Sequence, residues 1–383
     1  MSSIKKHLIT GSLLIGTLVA PALVLADDTA ATPVATPTPL AWYQKVTVGG
    51  YIDEYYQHSF NNPTGVTTGG IAPRSYDGTA NQFTFGGGEL TLKQNDTASG
   101  TGYFVDLLMG SIGSVYGNTG SLPDSVSIGQ AYITQTLGNA TFTLGKFGTP
   151  VGYEVTYLPS NANFSRSLLY GQEPTFNTGL RLDYTLPGGL TASGFIDNGN
   201  SIDNAITSGK DYGAILAYSG MKNLNLTGLW YLNNDDFAVG LPAMDVQWAN
   251  FIATFTATDS FTLAGEYLFK EYVAPQSATG LSYYPIQQGY ALYATFSPMP
   301  NWSFSPRFEQ WFNPNALFTP PVVTNDYTLT AKYQMGPLAH MLEYRMDATN
   351  QSAASYYTIQ GSSKPAFLSD IQQTLTYAAV YSF

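Results

Sequence analysis

The longest segment without strand-like alternation, residues 148–177, contains few charged side chains, and their types suggest a specific chemistry. They are Glu154, Arg166 and Glu173. A cation and two carboxylates held across a narrow passage would set a local electric field there and bias which solutes cross it. The alternative is that Glu154 and Arg166 form an ion pair that pins the segment to its surroundings. The residues alone leave both interpretations open.

A second set of charged residues lies in segments where polar and apolar side chains alternate. If the apolar faces of these segments contact lipid, the charges face a water-filled interior, since Arg or Lys on the lipid face costs about 2–4 kcal/mol near mid-membrane. The less specific interpretation is that they form ion pairs along the wall and keep the interior hydrated. The predicted pore-lining residues are Asp106, Arg181, Asp183, Glu266, Arg307, Glu309, Glu343 and Arg345.

Residues for catalysis or metal binding are scarce. The histidines are His7, His58 and His340, and cysteine is absent. No Gly-x-Ser-x-Gly motif surrounds a histidine to supply a nucleophile for acyl transfer. No two histidines have the spacing of zinc ligands. The sequence therefore predicts neither an enzyme nor a cofactor site.

The elements that must position the charged residues are predicted to be β-strands. In residues 301–311, Trp302 and Phe304 share one face, whereas Arg307 and Glu309 share the other. Alternation over about ten residues is the signature of a transmembrane β-strand. No later segment has the run of about eighteen apolar residues that a transmembrane helix needs.

Short and long connectors alternate along the chain. Residues 138–139 and 187–189 are tight-turn sequences, whereas residues 111–127 and 148–177 are long. Outer-membrane barrels have short turns on one side of the membrane and long loops on the other. The pattern predicts an antiparallel up-and-down β-barrel of about sixteen strands (about 14–18 at most) over residues 46–383. Segment 148–177 is expected to fold inward and narrow the lumen.

A run of three glycines interrupts one predicted strand. Phe83 and Phe85 precede Gly86-Gly87-Gly88, and the apolar residues that follow have the opposite phase. An extra residue in one strand of a pair has this effect, so the run predicts a β-bulge.

The N-terminus is typical of an export signal. Lys5 and Lys6 precede an apolar stretch that ends at Ala26. This pattern predicts a secretory signal peptide over residues 1–26, although an uncleaved membrane anchor is the alternative. Residues 27–45 are rich in Pro, Thr and Ala, which predicts an extended periplasmic linker.

Composition limits the partners. Charged residues make up 11% of the chain and the net charge is −11. Such an acidic balance argues against nucleic acid as a partner and favours a weak preference for cations. Outer-membrane lipids, both lipopolysaccharide and phospholipid, would surround the barrel, and small solutes would cross it. A homo-oligomer is compatible with the sequence, but no feature decides it.

The C-terminal segment alternates up to its last residue. Phe383, Tyr381, Tyr377 and Leu375 share one face. A final strand that ends in Phe with aromatic residues at alternate positions resembles the signal that the barrel-assembly machinery reads. That machinery is therefore an expected transient partner.

Several short motifs resemble the OmpL-like outer-membrane β-barrel porin family. The sharpest are Gly145-Lys146-Phe147, Gly152-Tyr153-Glu154, Asn163-Phe164-Ser165-Arg166-Ser167, Pro174 and Thr178-Gly179, with Gly50-Tyr51-Ile52-Asp53 and Tyr76-Asp77 upstream. The resemblance covers most of residues 46–383. It implies a pore in the bacterial outer membrane and implies little about what passes.

We therefore expect a passive diffusion channel for small hydrophilic solutes or ions. One alternative is a substrate-specific channel, in which the aromatic residues of segment 148–177 would guide sugars or aromatic compounds rather than pack the segment in place. The other alternative is a non-conducting structural or adhesive barrel. The aromatic residues concerned are Tyr153, Tyr157, Phe164, Tyr170 and Phe176.

Overall fold

The segments of alternating polarity pair as antiparallel strands in a computed structural model of the chain. The structure describes residues 45–61, 74–96, 98–117, 126–201, 203, 209–236, 244–273, 286–314, 321–350, 356–358 and 367–383. Residues Val46–Phe383 form one compact unit. The predicted signal peptide, 1–26, and all but the last residue of the predicted linker lie outside the described residues.

The described residues contain a closed antiparallel barrel of sixteen strands and a separate two-stranded sheet formed by β16 and β17. Consecutive strands of the barrel are neighbours, and β1 pairs with β18 to close it. This arrangement confirms the predicted up-and-down barrel. The strands are β1 (Thr47–Ser59), β2 (Phe83–Asp96), β3 (Thr101–Met109), β4 (Val126–Leu137), β5 (Ala140–Gly148), β6 (Phe176–Leu186), β7 (Leu190–Asp197), β8 (Asp211–Met221), β9 (Leu224–Asp236), β10 (Met244–Thr258), β11 (Phe261–Val273), β12 (Ile286–Met299), β13 (Trp302–Asn313), β14 (Val322–Met335), β15 (Leu338–Thr349), β16 (Tyr356–Thr358), β17 (Phe367–Ser369) and β18 (Ile371–Ser382).

The connections at one end of the barrel are tight turns. Gly138 joins β4 to β5 and Gly336 joins β14 to β15, both with a φ of 59°. A two-residue hairpin turn needs positive φ, which glycine adopts without strain. The start of β1 and the end of β18 lie at the same end, because Ser382 pairs with Tyr51 and its N–H donates to the carbonyl of Pro337. This end is called the short-turn end below.

The barrel wall separates apolar from polar side chains. On β15, Leu342 and Tyr344 point outward and are 50% and 38% exposed, whereas Glu343 and Arg345 point inward and are 2% and 1% exposed. The same alternation is expected of a strand with lipid on one side and a polar interior on the other. The period-two pattern therefore places the charged residues inside.

The glycine run in β2 forms the predicted bulge. The register between β1 and β2 shifts between Asp53, which lies opposite Gly87, and Glu54, which lies opposite Phe85. Gly86 is the extra residue, and a Cβ atom at this position would collide with the carboxylate of Asp53. The bulge is thus confirmed, and it makes room for an inward-facing acid.

Some local elements were not expected from the sequence. Residues Gly110–Gly117 form a helix, α1, where only a connector was predicted, and β16 and β17 lie within another predicted connector. These short pieces lack the periodicity that marks a longer helix or strand. Among the helices in the described part of the chain, none is long and apolar enough to cross a membrane.

Candidate pore constriction

The connection between β5 and β6, residues 149–175, folds into the barrel and is called the infolded loop. Its backbone reaches strands on several sides of the interior. The Gly152 N–H donates to Asn250 Oδ1 of β10 at 3.1 Å, and the Phe164 N–H donates to Glu343 Oε2 of β15 at 2.7 Å. Asn163 Nδ2 donates to the Ser305 carbonyl of β13 at 2.9 Å. These contacts confirm the predicted inward fold.

Local hydrogen bonds give the infolded loop its shape. Asn161 Nδ2 donates to the carbonyl of Val155 at 2.7 Å, and its Oδ1 accepts the Val155 N–H at 3.0 Å. Ser167 Oγ accepts the N–H of Tyr170 at 2.9 Å, which starts a single 3-10 turn. Asn and Ser favour such local bonds over regular structure, so the loop is ordered with two 3-10 turns, Leu158–Ser160 and Tyr170–Gln172, and without an α-helix or a strand.

Glu154 pairs with the barrel wall and not with Arg166. Arg307 Nη1 of β13 lies 2.8 Å from Glu154 Oε1. Of the two alternatives left open by the sequence, the one that paired Glu154 with Arg166 named the wrong partner, because spacing within a loop says nothing about partners across a barrel. The loop is nevertheless pinned, through a strand residue more than a hundred positions away in sequence.

Arg166 is bound by backbone carbonyls. Its Nη1 donates to Phe164 at 3.1 Å and its Nη2 to Thr156 at 2.7 Å. Burial lowers the pKa of Arg166, but nearby Tyr170 and Glu154 raise it, and the net direction is upward. The guanidinium therefore stays charged inside the loop, where it stabilises the fold of the loop itself.

Glu154 belongs to a chain of buried ion pairs, called the ionic network below. The network runs from the infolded loop through β13, β14 and β15 to the residues just before β2. Buried charges of this kind need partners on all sides, because desolvation is costly. The successive pairs are Glu154–Arg307 at 2.8 Å, Arg307–Asp326 at 3.2 Å, Asp326–Arg345 at 2.5 Å, Arg345–Asp347 at 2.8 Å, Asp347–Arg74 at 3.0 Å and Arg74–Asp77 at 2.6 Å.

Sequence reasoning missed the middle of this network. Asp326 and Asp347 have the inward parity of their strands, so the alternation on β14 and β15 could have identified them. Arg74 and Asp77 precede β2 in a stretch without periodicity. No local signal in the sequence indicates where such residues go.

Two further wall residues hold the tip of the infolded loop. Glu343 accepts the N–H groups of Phe164 at 2.7 Å and Ser165 at 3.0 Å. Arg345 Nη1 donates to the carbonyl of Arg166 at 2.6 Å. Charged groups that bind backbone in this way fix both position and orientation.

The other side of the infolded loop is apolar. Leu169 is 0% exposed and packs in a cluster with Tyr231 and Trp248, which stack with ring centroids 5.3 Å apart. This group is called the apolar cluster, and its remaining buried members include Val151, Leu168, Phe195, Leu229, Leu268 and Trp311. It occupies the inner face of β7 to β13, so part of the lumen at this level is filled.

The aromatic residues of segment 148–177 contact the wall. Tyr153 lies 4.5 Å from Tyr293, and Phe164 lies 5.3 Å from Tyr55, measured between ring centroids. Phe164, Tyr170 and Phe176 are buried, at 7%, 6% and 4% exposure. Tyr157 is partly buried and packs edge-on against Tyr51. In this arrangement the rings pack the loop in place.

Tyrosine hydroxyls join the infolded loop to neighbouring segments. The hydroxyl oxygen of Tyr76, just before β2, lies 2.7 Å from that of Tyr170. The hydroxyl oxygen of Tyr116, in α1, lies 2.6 Å from Thr156 Oγ1. Burial raises the pKa of both Tyr76 and Tyr116 well above the usual range, so both hydroxyls remain protonated. The loop is thus tied to two further parts of the chain, the segment before β2 and helix α1.

All eight predicted pore-lining residues point into the barrel, but they divide into two groups. Arg181 and Asp183 of β6 keep about a quarter of their side-chain surface, at 27% and 25%, and pair at 2.7 Å. The other six are buried at 4% exposure or less, several of them directly beneath the infolded loop. Lys93 of β2 shares the inward parity and is exposed, although the sequence analysis did not single it out.

The three predicted constriction residues also divide. Glu154 and Arg166 lie buried on the ionic side of the loop, whereas Glu173 lies at its end against β11. The structure does not bring them together as one charged triplet. The two histidines in the described residues, His58 and His340, lie on the outer face, where His340 Nδ1 is 2.8 Å from the Tyr377 hydroxyl.

A closed barrel with an inward loop and a polar interior is the geometry of a diffusion pore. The family model described as "Putative beta-barrel porin-2, OmpL-like" matches residues 45–383. The chain belongs to this family. The resemblance found in the motifs is thereby confirmed, and the protein is a porin channel of the bacterial outer membrane. No curated protein shows significant sequence similarity to this porin.

Solved structures with the same fold include several porins. The outer membrane channel DcaP of Acinetobacter baumannii matches with a TM-score of 0.60 and 13% identity, over 88% of this chain and 97% of that chain. The anion-selective porin from Comamonas acidovorans matches with 0.59 and 12%, over 88% and 99%. The in-vitro folded, trimer form of OmpT from Vibrio cholerae matches with 0.59 and 10%, over 88% and 99%. At these identities the similarity establishes the fold alone.

Proposed function

We propose that this porin is a passive diffusion channel for small hydrophilic solutes and ions, and that the infolded loop sets its narrowest point. The observation that carries the proposal is the loop itself. It crosses the interior between the ionic network and the apolar cluster, and both hold it rigidly. Below it, toward the short-turn end, Arg181 and Asp183 are solvent-exposed on the inner face of β6.

The proposal assigns different roles to the predicted site residues. Arg181 and Asp183 line the water-filled path. Arg307, Glu309, Glu343 and Arg345 hold the infolded loop, together with Glu154, and Asp106 and Glu266 stabilise the wall from inside. Neither a catalytic role nor a cofactor is part of the proposal, because the sequence motifs point to none.

The proposal includes a weak preference for cations. Acidic residues outnumber basic ones, 26 to 15, over the whole chain. Several of the acidic side chains are buried in the ionic network, however. Lys93 faces the lumen, and its positive charge opposes a preference for cations. Charge that reaches water controls ion selectivity, because buried charge is already compensated.

We also propose that the porin forms homo-oligomers. The trimer form of a structural neighbour motivates this idea. Glu54 adds an observation from this chain: it is exposed on the outer face near the middle of β1, where lipid would otherwise cover the strand. A carboxylate in that position is better accommodated against another protein than against acyl chains.

The outer face of the last strand carries a row of exposed aromatic side chains that an assembly partner could bind. Tyr377, Tyr381 and Phe383 all lie exposed on the outer face at 46%, 43% and 58%. We propose that the barrel-assembly machinery recognises this aromatic row.

Single-channel recording tests the proposed function. Mature protein, purified without heating, is reconstituted in a planar bilayer with a salt gradient, and its native mass is measured in the same preparation. Discrete conductance steps are expected, with a reversal potential that favours cations. Lys93→Gln should move the reversal potential further toward cations, whereas Lys222→Gln, in an exposed turn, serves as the matched control. Silence from a correctly folded barrel would support a non-conducting role instead.

A further inference from the structure

The two legs of the infolded loop meet at one point on the wall. Gly152, at the start of the loop, donates its N–H to Asn250 Oδ1 at 3.1 Å, and Asn250 Nδ2 donates to Glu266 Oε1 of β11 at 2.8 Å. Glu173, near the end of the loop, lies directly against Gly152. A Cβ at Gly152 would collide with the Glu173 carboxyl group, and the φ of +96° also requires glycine. Glycine at position 152 therefore leaves the space that the Glu173 carboxyl group occupies.

The carboxyl group of Glu173 has no hydrogen-bond donor among the described residues. Both of its oxygens are buried, as is Oε2 of Glu266, which also lacks a donor. Glu173 lies against Gly152, and Gly152 and Glu266 bind the same Asn250 side-chain amide, so the two carboxyl groups meet at one contact. Two ionised carboxylates cannot remain side by side in a buried site, because their repulsion and desolvation are uncompensated.

We propose that Glu173 and Glu266 share one proton, and that the resulting carboxyl–carboxylate hydrogen bond latches the end of the infolded loop to β11. The inference rests on the proposed function, since the loop it positions is the proposed constriction. Glu173 is then a positioning residue. When the shared proton leaves to solvent, two carboxylates face each other and the latch is lost.

Among the described residues, the basic groups on this part of the wall already have other partners. Arg307 of β13, two strands from β11, pairs with Glu154, Glu309 and Asp326. Lys270 shares the inward parity of Glu266 on β11, and its Nζ lies 5.1 Å from the ring centroids of both Trp248 and Tyr272. The hydroxyl of Tyr293, 5% exposed, also lacks a partner among the described residues and lies among the acids. The titratable and charged groups around the pair are Tyr153, Glu154 and Tyr170 of the loop, Lys270 of β11, Tyr293 of β12, and Arg307 and Glu309 of β13.

The direction of the pH response follows from this environment. Burial, and then the neighbouring Glu266, raise the pKa of Glu173 well above its ordinary value of 4.5. The docked loop therefore holds a proton that a free carboxyl group would have released. Docking is strongest below the free value and weakens as the pH rises through the raised pKa of the docked group.

Conductance recordings at about pH 5 and about pH 9 test the latch. In the wild-type channel, the ratio of time outside the main conductance level to time within it should rise by up to about tenfold per pH unit while the pair loses its proton. Glu173→Gln and Glu266→Gln each supply an amide donor that does not titrate, so either substitution should flatten the pH profile. Glu271→Gln is the matched control, because Glu271 is on the same strand but has the opposite, outward parity.

Infrared spectroscopy gives a readout that does not depend on conduction. The difference spectrum between folded wild-type protein and Glu173→Gln at neutral pH should show the loss of one C=O stretch of a protonated carboxylic acid. The proposal is overturned if this difference band is absent or if Glu173→Gln retains the wild-type pH profile. A silent wild-type channel that still shows the band would reject the proposed function and leave the latch standing.

Discussion

The infolded loop is held by two kinds of contact on two adjoining parts of the barrel wall. Toward β13, β14 and β15 it meets the ionic network, in which Glu154 binds Arg307 and the loop backbone binds Glu343 and Arg345. Toward β7 to β13 it meets the apolar cluster, where Leu169 packs near Trp248. One loop is thus stabilised by charge on one side and by apolar burial on the other.

The difference shows how a polar lumen can hold a loop in one position. Apolar burial contributes free energy without direction, so the apolar cluster alone would tolerate several orientations of the loop. Buried ion pairs contribute little net stability, because desolvation offsets attraction, but they demand a specific geometry. We infer that the apolar cluster supplies most of the docking energy and that the ionic network selects the docked conformation.

Removing the central cation of the ionic network should have the largest effect. Arg307→Ala leaves Glu154 and Glu309 buried without their ion-pair partner and Asp326 with Arg345 alone, which should cost about 4 kcal/mol in the free energy of unfolding. Urea denaturation in detergent, followed by tryptophan fluorescence, measures this cost. Conductance noise should also increase, because the loop loses its fixed orientation.

A comparison variant separates charge from geometry. Arg307→Lys keeps the positive charge but lacks the planar fork whose Nε and Nη1 reach different carboxylates, so it should recover part of the stability while the conductance noise persists. Wild-type stability in Arg307→Ala would show that the ionic network does not select the loop conformation.

Truncating a side chain of the apolar cluster should lower the free energy of unfolding somewhat less than Arg307→Ala does. Leu169→Ala removes a fully buried side chain and leaves a cavity, which should lower the free energy of unfolding by about 3 kcal/mol. The loop should keep its orientation, so the main conductance level should change little compared with Arg307→Ala. Leu292→Ala is a suitable control, because Leu292 is 54% exposed on the outer face. Equal losses in the two leucine variants would argue against the apolar cluster as the source of docking energy.

The smallest change in stability is expected outside both regions. Arg181 and Asp183 form a partly exposed ion pair, and such pairs contribute less than about 1 kcal/mol. Arg181→Gln should therefore leave the unfolding curve nearly unchanged, yet move the reversal potential toward cations because the side chain reaches water. An unfolding midpoint that falls as far as in Leu169→Ala would show that this pair is structural.

The sequence predicted the wall of this porin better than its interior contacts. Alternation along a strand reports which side chains face inward, so the inward placement of Arg307 and Glu309 followed directly, as did the bulge at Gly86–Gly88. The partner of Glu154 did not follow, because Arg307 lies on a distant strand and no periodicity links the two. Arg74 was missed for the same reason, since it lies in a connector.

The seam between the first and last strands imposes an order on folding. Thr376 of β18 donates a hydrogen bond to Gln57 of β1 at 2.8 Å, across 319 residues of sequence. Until β18 is in place, β1 and β15 each present an unpaired edge, which a bilayer cannot solvate. Contacts between residues so far apart also form slowly, because the intervening chain must first be brought together. The polypeptide must therefore be kept from aggregating in aqueous solution until its last twelve-residue strand arrives, and a stalled or shortened chain would be a target for proteolysis rather than a smaller pore.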